Sequence, residues 1–165
     1  MNLKIMRFLL TALIASLLAG CTSTPKRVLS SVIIEEIKPR YIQAEEFRRI
    51  SEYLTNKEHT GKRVILRSRT TERSGYYFVL ILDEKVRRLP NGTQIIGEFY
   101  MPSSLEKQSY TFVLPARRPK TNEIFIGLTG EDWPQKDEVP SAWKFTIKDA
   151  NGALLAEKKS YLWSL

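Results

Sequence analysis

The chain has 165 residues, a net charge of +8 at neutral pH, one histidine and one cysteine. A single histidine, His59, excludes metal sites that need two or three imidazole ligands, and a single cysteine, Cys21, excludes an intramolecular disulfide. The length fits one domain that buries enough apolar surface to fold without disulfides. The positive charge is expected to be an ordinary solvated surface charge; binding of anionic partners such as phosphate-bearing surfaces is the alternative.

The first 21 residues combine a basic start, a short apolar run and a small-residue cut site. Lys4 and Arg7 precede the apolar run 8–18, and Leu-Ala-Gly-Cys closes it at Cys21. This pattern is typical of an export signal, and the run is shorter than the about 20 residues of a membrane-spanning helix. Residues 18–21 resemble the lipobox of bacterial lipoproteins, in which the cysteine thiol is acylated and becomes the new N-terminus.

The resemblance implies a protein of the bacterial cell envelope that lipid on Cys21 attaches to a membrane. Several acyl chains on one residue exceed the two signals that stable anchoring needs. By resemblance to enterobacterial lipoproteins, Thr22 after the cysteine implies the outer membrane. We expect the signal peptide to span residues 1–20, and we expect no nucleic-acid partner for an exported, anchored protein.

Residues 21–30 are predicted to be the lipidated cysteine and a polar tether, followed by one domain over residues 31–165. Residues 32–37 are apolar enough to predict a first strand, and Pro39 is expected to end it.

One helix is predicted near residues 43–56, because Ala44, Phe47, Ile50 and Leu54 recur at helical spacing and form one apolar stripe. The stripe predicts packing against the domain's own sheet. Docking of a partner is the alternative.

From Gly61 onward, short runs of alternating apolar and polar residues stand between turn residues. Strands are predicted at 64–69, 75–83, 93–101, 109–114, 124–128 and 143–148, and in a final segment that ends at 161–163. The run 75–83 is apolar on both faces and is expected to be a central strand. Pro90-Asn91-Gly92 and Asn151-Gly152 are strong turn signals. Together these features predict a mainly β fold, an antiparallel immunoglobulin- or fibronectin-like β-sandwich of about seven strands with one short N-terminal helix.

The aromatic side chains within the predicted strands are expected to pack in the core. They are Tyr76, Phe78, Phe99, Tyr110, Phe112, Trp143 and Phe145.

The residue inventory favours no common catalytic design. His59 lies in a polar stretch between the predicted helix and the next strand, without a G-x-S-x-G turn. Ser-x-x-Lys occurs at 23–26, 104–107 and 141–144, and only the middle copy is compatible with a helical turn. Since the companion motifs of the Ser-x-x-Lys enzymes are missing, we expect no catalytic residue, no metal and no cofactor.

The most unusual segment is the loop after the predicted strand 124–128. Its carboxylates, Glu131, Asp132, Asp137 and Glu138, could ligate calcium or hydrolyse sugars, although their spacing does not match an EF-hand. A solvated acidic loop is the expectation. Trp133 stands among these residues, and we expect it to close one end of the sandwich; an exposed Trp133 would instead bind sugar rings or partner proteins.

These observations predict a non-enzymatic, lipid-anchored envelope protein that binds another envelope protein in an assembly or accessory role. The alternative is a glycan- or peptidoglycan-binding module that uses the Trp133 loop. A small hydrolase using Glu131 or Asp132 is a third class, and the fold class alone does not choose among them. The candidate ligand- or partner-binding residues are Trp133, Glu131, Asp132, Arg117 and Arg118.

Overall fold

The computed structural model describes residues 29–102, 104–133 and 137–164. The predicted lipidation site, Cys21, and most of the predicted tether lie outside these residues. Within them the strands are β1 (Ile34–Ile42), β2 (Val64–Arg67), β3 (Gly75–Leu82), β4 (Gln94–Met101), β5 (Ser104–Val113), β6 (Glu123–Thr129), β7 (Ala142–Lys148) and β8 (Leu154–Lys159). The helices α1 (Ala44–Phe47) and α2 (Ile50–Thr55) separate β1 from β2, and 3-10 turns cover Val86–Arg88, Gly130–Asp132 and Tyr161–Ser164.

The strands form two four-stranded sheets that pack face to face around one core. The first sheet has the order β1-β3-β6-β2, and the second has the order β5-β4-β7-β8. This architecture confirms the mainly β prediction, with eight strands described instead of about seven.

One strand pair departs from the antiparallel prediction. β2 runs parallel to β6, with Val64 opposite Ile124. β1 and β2 therefore run in the same direction, and the segment 43–63 must return across the outer face of the first sheet to connect them.

The core lies between the sheets and is rich in aromatic rings, as predicted. The ring centroid of Phe78 lies 5.0 Å from that of Phe99 and 5.1 Å from that of Phe145. Tyr76 and Phe112 are also buried, while Tyr110 and Trp143 pack half-buried against the core. Alternate positions on the inner strand faces supply these rings, because successive side chains of a strand point to opposite faces.

β3 is buried on both of its faces, which its continuous apolar sequence predicts. A second apolar cluster on the outer face of the first sheet comprises Ile42, Phe47, Tyr77, Val79 and Phe125. Phe47, from α1, provides the cover, with its ring centroid 4.8 Å from that of Tyr77.

The prediction of one helix with a single buried stripe is wrong. Arg48 and Arg49 have extended backbone and separate α1 from α2. Phe47 is buried, but Ile50 and Leu54 are each 84% exposed. The physical reason is an ion pair: Glu52 points towards the sheet and accepts a hydrogen bond of 2.6 Å from Arg73 Nη1, so the apolar side of α2 faces solvent.

Three local predictions also need correction. β1 continues past Pro39 to Ile42, because β1 is an edge strand, where proline is tolerated. Residues 104–107 belong to β5 and not to a helical turn, and the ammonium of Lys107 donates to Glu98 Oε1 at 2.6 Å. The last strand ends at Lys159, and the following residues Tyr161–Ser164 form a 3-10 turn.

Candidate functional site

The strand register defines two ends of the sandwich. At one end Ile34 pairs with Leu82, and Gln94 pairs with Lys148. The described chain begins at this end, where the Val32 N–H donates to the Leu155 carbonyl at 3.0 Å. We refer to it as the proximal end; its loops are 60–63, 83–93, 114–122 and 149–153. Among the described residues, the segments at the opposite, distal end include 43–49, 68–74, 130–133 and 137–141.

Trp133 closes the distal end of the core. Its side chain is 3% exposed and stacks on Tyr76 with the ring centroids 4.6 Å apart. Gly130, with a φ of 60°, turns the chain so that the Trp133 N–H donates to the Gly130 carbonyl at 3.0 Å. The buried Nε1 of Trp133 has no hydrogen-bond partner among the described residues. This placement matches the packing interpretation and leaves no open ring face for a sugar.

Glu131 and Asp132 share one guanidinium at the same end. Arg69 Nη2 lies 3.1 Å from Glu131 Oε2 and 3.5 Å from Asp132 Oδ1. Thr129 fixes the backbone of Arg69, since its Oγ1 accepts from the Arg69 N–H and donates to the Arg69 carbonyl. A cation of the protein therefore pairs with both carboxylates and balances one of their two charges. Within 29–102, 104–133 and 137–164, no group of three or more His, Cys, Asp or Glu is arranged to hold a metal ion.

Arg117 and Arg118 lie at the proximal end, so the structure does not bring them to Trp133. They border a groove of about 710 Å³ whose other walls include Arg63, Ile65 and Pro115. Arg118 is anchored: its Nη1 donates to the Pro90 carbonyl at 3.1 Å and its Nη2 to Asn91 Oδ1 at 2.8 Å. Burial lowers the pKa of Arg118. Arg117 is exposed, without an ion-pair partner in the described part of the chain.

The apolar side of α2 is exposed, although its sequence pattern predicted packing against the sheet. Ile50, Tyr53 and Leu54 are 84%, 69% and 84% exposed. They stand at i, i+3 and i+4, so they share one side of the helix. No local sequence signal indicates this exposure, because it depends on the pairing of Glu52 with Arg73, 21 residues further along the chain.

A network of ion pairs holds α2 in this orientation. Besides Arg73, the Glu52 carboxylate accepts from the His59 N–H at 3.1 Å. The hydrogen bond from Arg73, followed by that from His59, lowers the pKa of Glu52.

The segment after α2 is held by a second pair. Both guanidinium Nη atoms of Arg67 donate to Glu58, at 2.7 and 3.0 Å, and its Nε donates to the Tyr77 hydroxyl at 2.9 Å. Two planar, paired hydrogen bonds orient the loop more strictly than a single contact. These ion pairs therefore fix the segment that contains α2 and keep its apolar side in solvent.

No protein-family model matches this chain, and neither the curated proteins nor the solved structures contain a match. In the described ranges no helix is long and apolar enough to cross a membrane.

Proposed function

We propose that this chain is a lipid-anchored protein of a bacterial envelope, without catalytic activity, that binds another envelope protein through α2. The resemblance of residues 18–21 to a lipobox supports anchoring at Cys21 and, with Thr22, the outer membrane. Two packed four-stranded sheets support the finer assignment to an immunoglobulin- or fibronectin-like sandwich. Such sandwiches have many different functions, so the fold class alone does not identify the function of this one.

The observation that carries the proposal is the exposed apolar side of α2. Ile50, Tyr53 and Leu54 leave large apolar surfaces in water at the spacing that helix-in-groove recognition uses for its anchors. Contiguous exposed apolar surface on a soluble domain marks interaction sites. Because Glu52 binds Arg73 on the opposite side of the helix, the domain cannot bury these residues without breaking that pair.

The flanking charges describe the partner. Arg48 and Arg49 are exposed beside α2, and the Arg48 guanidinium lies 5.5 Å from the centroid of the Tyr53 ring. A complementary partner therefore offers an apolar groove with an acidic rim, and the charges set its orientation and association rate.

Site-specific photo-crosslinking in cells tests this proposal. A photoreactive phenylalanine analogue at Tyr53 should trap one or a few envelope proteins, identified by mass spectrometry. The matched control carries the same analogue at Leu154, which is 57% exposed at the proximal end. Adding Ile50→Ser and Leu54→Ser should remove the Tyr53 crosslink while the melting temperature stays unchanged. Identical products from positions 53 and 154, or no product from position 53, would contradict the proposal.

Membrane attachment has its own test. Cys21→Ser should move the protein from the membrane fraction to the soluble fraction after cell lysis, because the acylated thiol is lost. Cys21 is the only cysteine, so the substitution removes no disulfide. Continued membrane fractionation of the variant would refute lipid anchoring.

The glycan-binding alternative has less support. It needs an aromatic face for stacking, and Trp133, its central residue, is 3% exposed and covered by Tyr76.

A further inference from the structure

The proximal end carries exposed cations without an ion-pair partner among the described residues. They come from three separate loops of the sandwich end. The residues are Lys62, Arg63, Lys85, Arg87, Arg117 and Lys120. We refer to them as the proximal collar. Adjacent cations repel one another unless an anion joins them, so an unpaired set of this kind is suited to an anionic partner.

Acidic residues at the same end make hydrogen bonds or ion pairs elsewhere and, in the described part of the chain, do not pair with the collar cations. Asp83 Oδ1 accepts from the Ile33 N–H at 2.9 Å. Both oxygens of Glu84 bind Arg88, at 2.7 and 2.8 Å. Asp149 Oδ1 accepts from the N–H groups of the turn that joins β7 to β8. The other acids near this end are Glu35 and Glu36 of β1 and half-buried Glu123 of β6, and Glu36 pairs with Lys38 at 3.2 Å.

We propose that the proximal collar binds the anionic headgroups of the membrane surface. The described chain begins at this end, eight residues after Cys21, and eight extended residues span at most about 28 Å. Lipid on Cys21 therefore keeps the collar close to the bilayer. In this respect the inference rests on the anchoring part of the proposed function, but the binding of headgroups by the collar does not require the lipid.

The distribution of the collar favours a surface over a single small ligand. Its charges come from loops 60–63, 83–93 and 114–122, which lie around the end of the sandwich. Lys and Arg side chains that are spread in this way contact many separate headgroups, and none of these contacts needs a precise binding geometry. Binding at the proximal end would direct the distal end away from the bilayer and leave α2, on the outer face of the first sheet, accessible to a protein.

Vesicle co-sedimentation tests the inference with the mature chain, residues 21–165, carrying Cys21→Ser so that no lipid is attached. All eight strands of the two sheets lie within this range. The protein should bind vesicles that contain phosphatidylglycerol, should not bind pure phosphatidylcholine, and should dissociate as the salt concentration rises.

The decisive variant combines Arg87→Gln, Arg117→Gln and Lys120→Gln. Each basic residue near an anionic surface changes binding about five-fold, so the triple variant should bind about 100-fold more weakly. The matched control, Arg40→Gln, Lys57→Gln and Lys159→Gln, removes the same charge from exposed positions outside the collar and should bind within a few-fold of the parent.

Two results would overturn the inference: no binding to phosphatidylglycerol vesicles, or an equal loss in the two triple variants. If the collar variant melts at a lower temperature, Arg117→Gln alone replaces it, with an expected loss of about five-fold. Because this assay contains no partner protein and no acyl chain, its failure is separable from failure of the crosslinking at Tyr53.

Discussion

The two ends of the sandwich differ in how many of their cations form ion pairs. Towards the distal end, Arg69 binds Glu131 and Asp132, and Arg73 binds Glu52. At the proximal end the collar cations have no such partners in the described ranges. Both ends are built from similar polar, turn-rich sequence, so composition does not distinguish them. A net charge of +8 therefore does not indicate which cations are available to an anionic partner. The fold determines this, because it decides which cations form ion pairs with carboxylates.

This difference separates structural from functional charges. Paired cations hold a segment in place, as Arg73 does for α2, while unpaired exposed cations add little to stability and remain free to bind anions. Substitutions of the paired cations should therefore change folding first, and substitutions of the collar cations should change binding first.

The largest expected effect belongs to Trp133→Ala at the distal end. Loss of a buried aromatic side chain that stacks on Tyr76 should lower the free energy of unfolding by about 3–5 kcal/mol. Chemical denaturation measures this change, and vesicle binding at a temperature where the variant is folded should match the parent. A stable variant that loses binding to wall material would revive the glycan alternative.

A smaller effect is expected at Phe47, which covers the outer face of the first sheet. Phe47→Ala should lower the free energy of unfolding by about 3 kcal/mol, because the ring packs on Tyr77 and Phe125. Leu54→Ala, on the exposed side of α2, should change it by less than about 0.5 kcal/mol. If denaturation curves give the two variants equal losses in the free energy of unfolding, the apolar side of α2 is packed against the sheet.

Acid should lower the stability that the ion pairs of Glu98 contribute. Glu98 on the outer face of the second sheet is bound by the ammonium groups of Lys107 and Lys144. Burial acts to raise the pKa of Glu98, but the two hydrogen bonds outweigh it and hold the pKa below its ordinary value of 4.5. The stability from this group is therefore complete above about pH 4.5 and is lost as the pH falls through the lower, folded-state pKa.

Replacement of the Glu98 carboxylate tests the predicted loss of stability at low pH. Glu98→Gln should cost about 1 kcal/mol at neutral pH and should reduce the further loss of stability in acid, as measured by denaturation between neutral pH and about pH 3. Glu157→Gln, an exposed change in β8, serves as the control. A parental acid response in the Glu98 variant would contradict the role of this pair.

The smallest effect is expected from Arg117→Gln at the proximal end. Because Arg117 is exposed and lacks an ion-pair partner among the described residues, the free energy of unfolding should change by less than about 0.5 kcal/mol. A larger loss would mean that the collar has a structural role and that the contrast between the two ends is wrong.

Much of the sheet structure was predictable because strand patterns are local. Residues 75–83 were predicted as a central strand from apolar residues on both faces, and the observed strand, Gly75–Leu82, lies between β1 and β6. The candidate site was less predictable. Trp133 and Arg117 were grouped as binding residues, yet the structure places them at opposite ends, because loop positions depend on strand order and not on sequence pattern.

The sequence by itself determined the mainly β class, the core aromatic positions and the turns at Asn91-Gly92 and Asn151-Gly152, since alternation and turn chemistry act over a few residues. It also contains the lipobox-like segment that ends at Cys21. Only the tertiary structure decided the parallel pairing of β2 with β6, the outward side of α2 and the separation of paired from unpaired cations. Each of these depends on contacts between residues distant in sequence, such as Glu52 with Arg73, which no local pattern specifies.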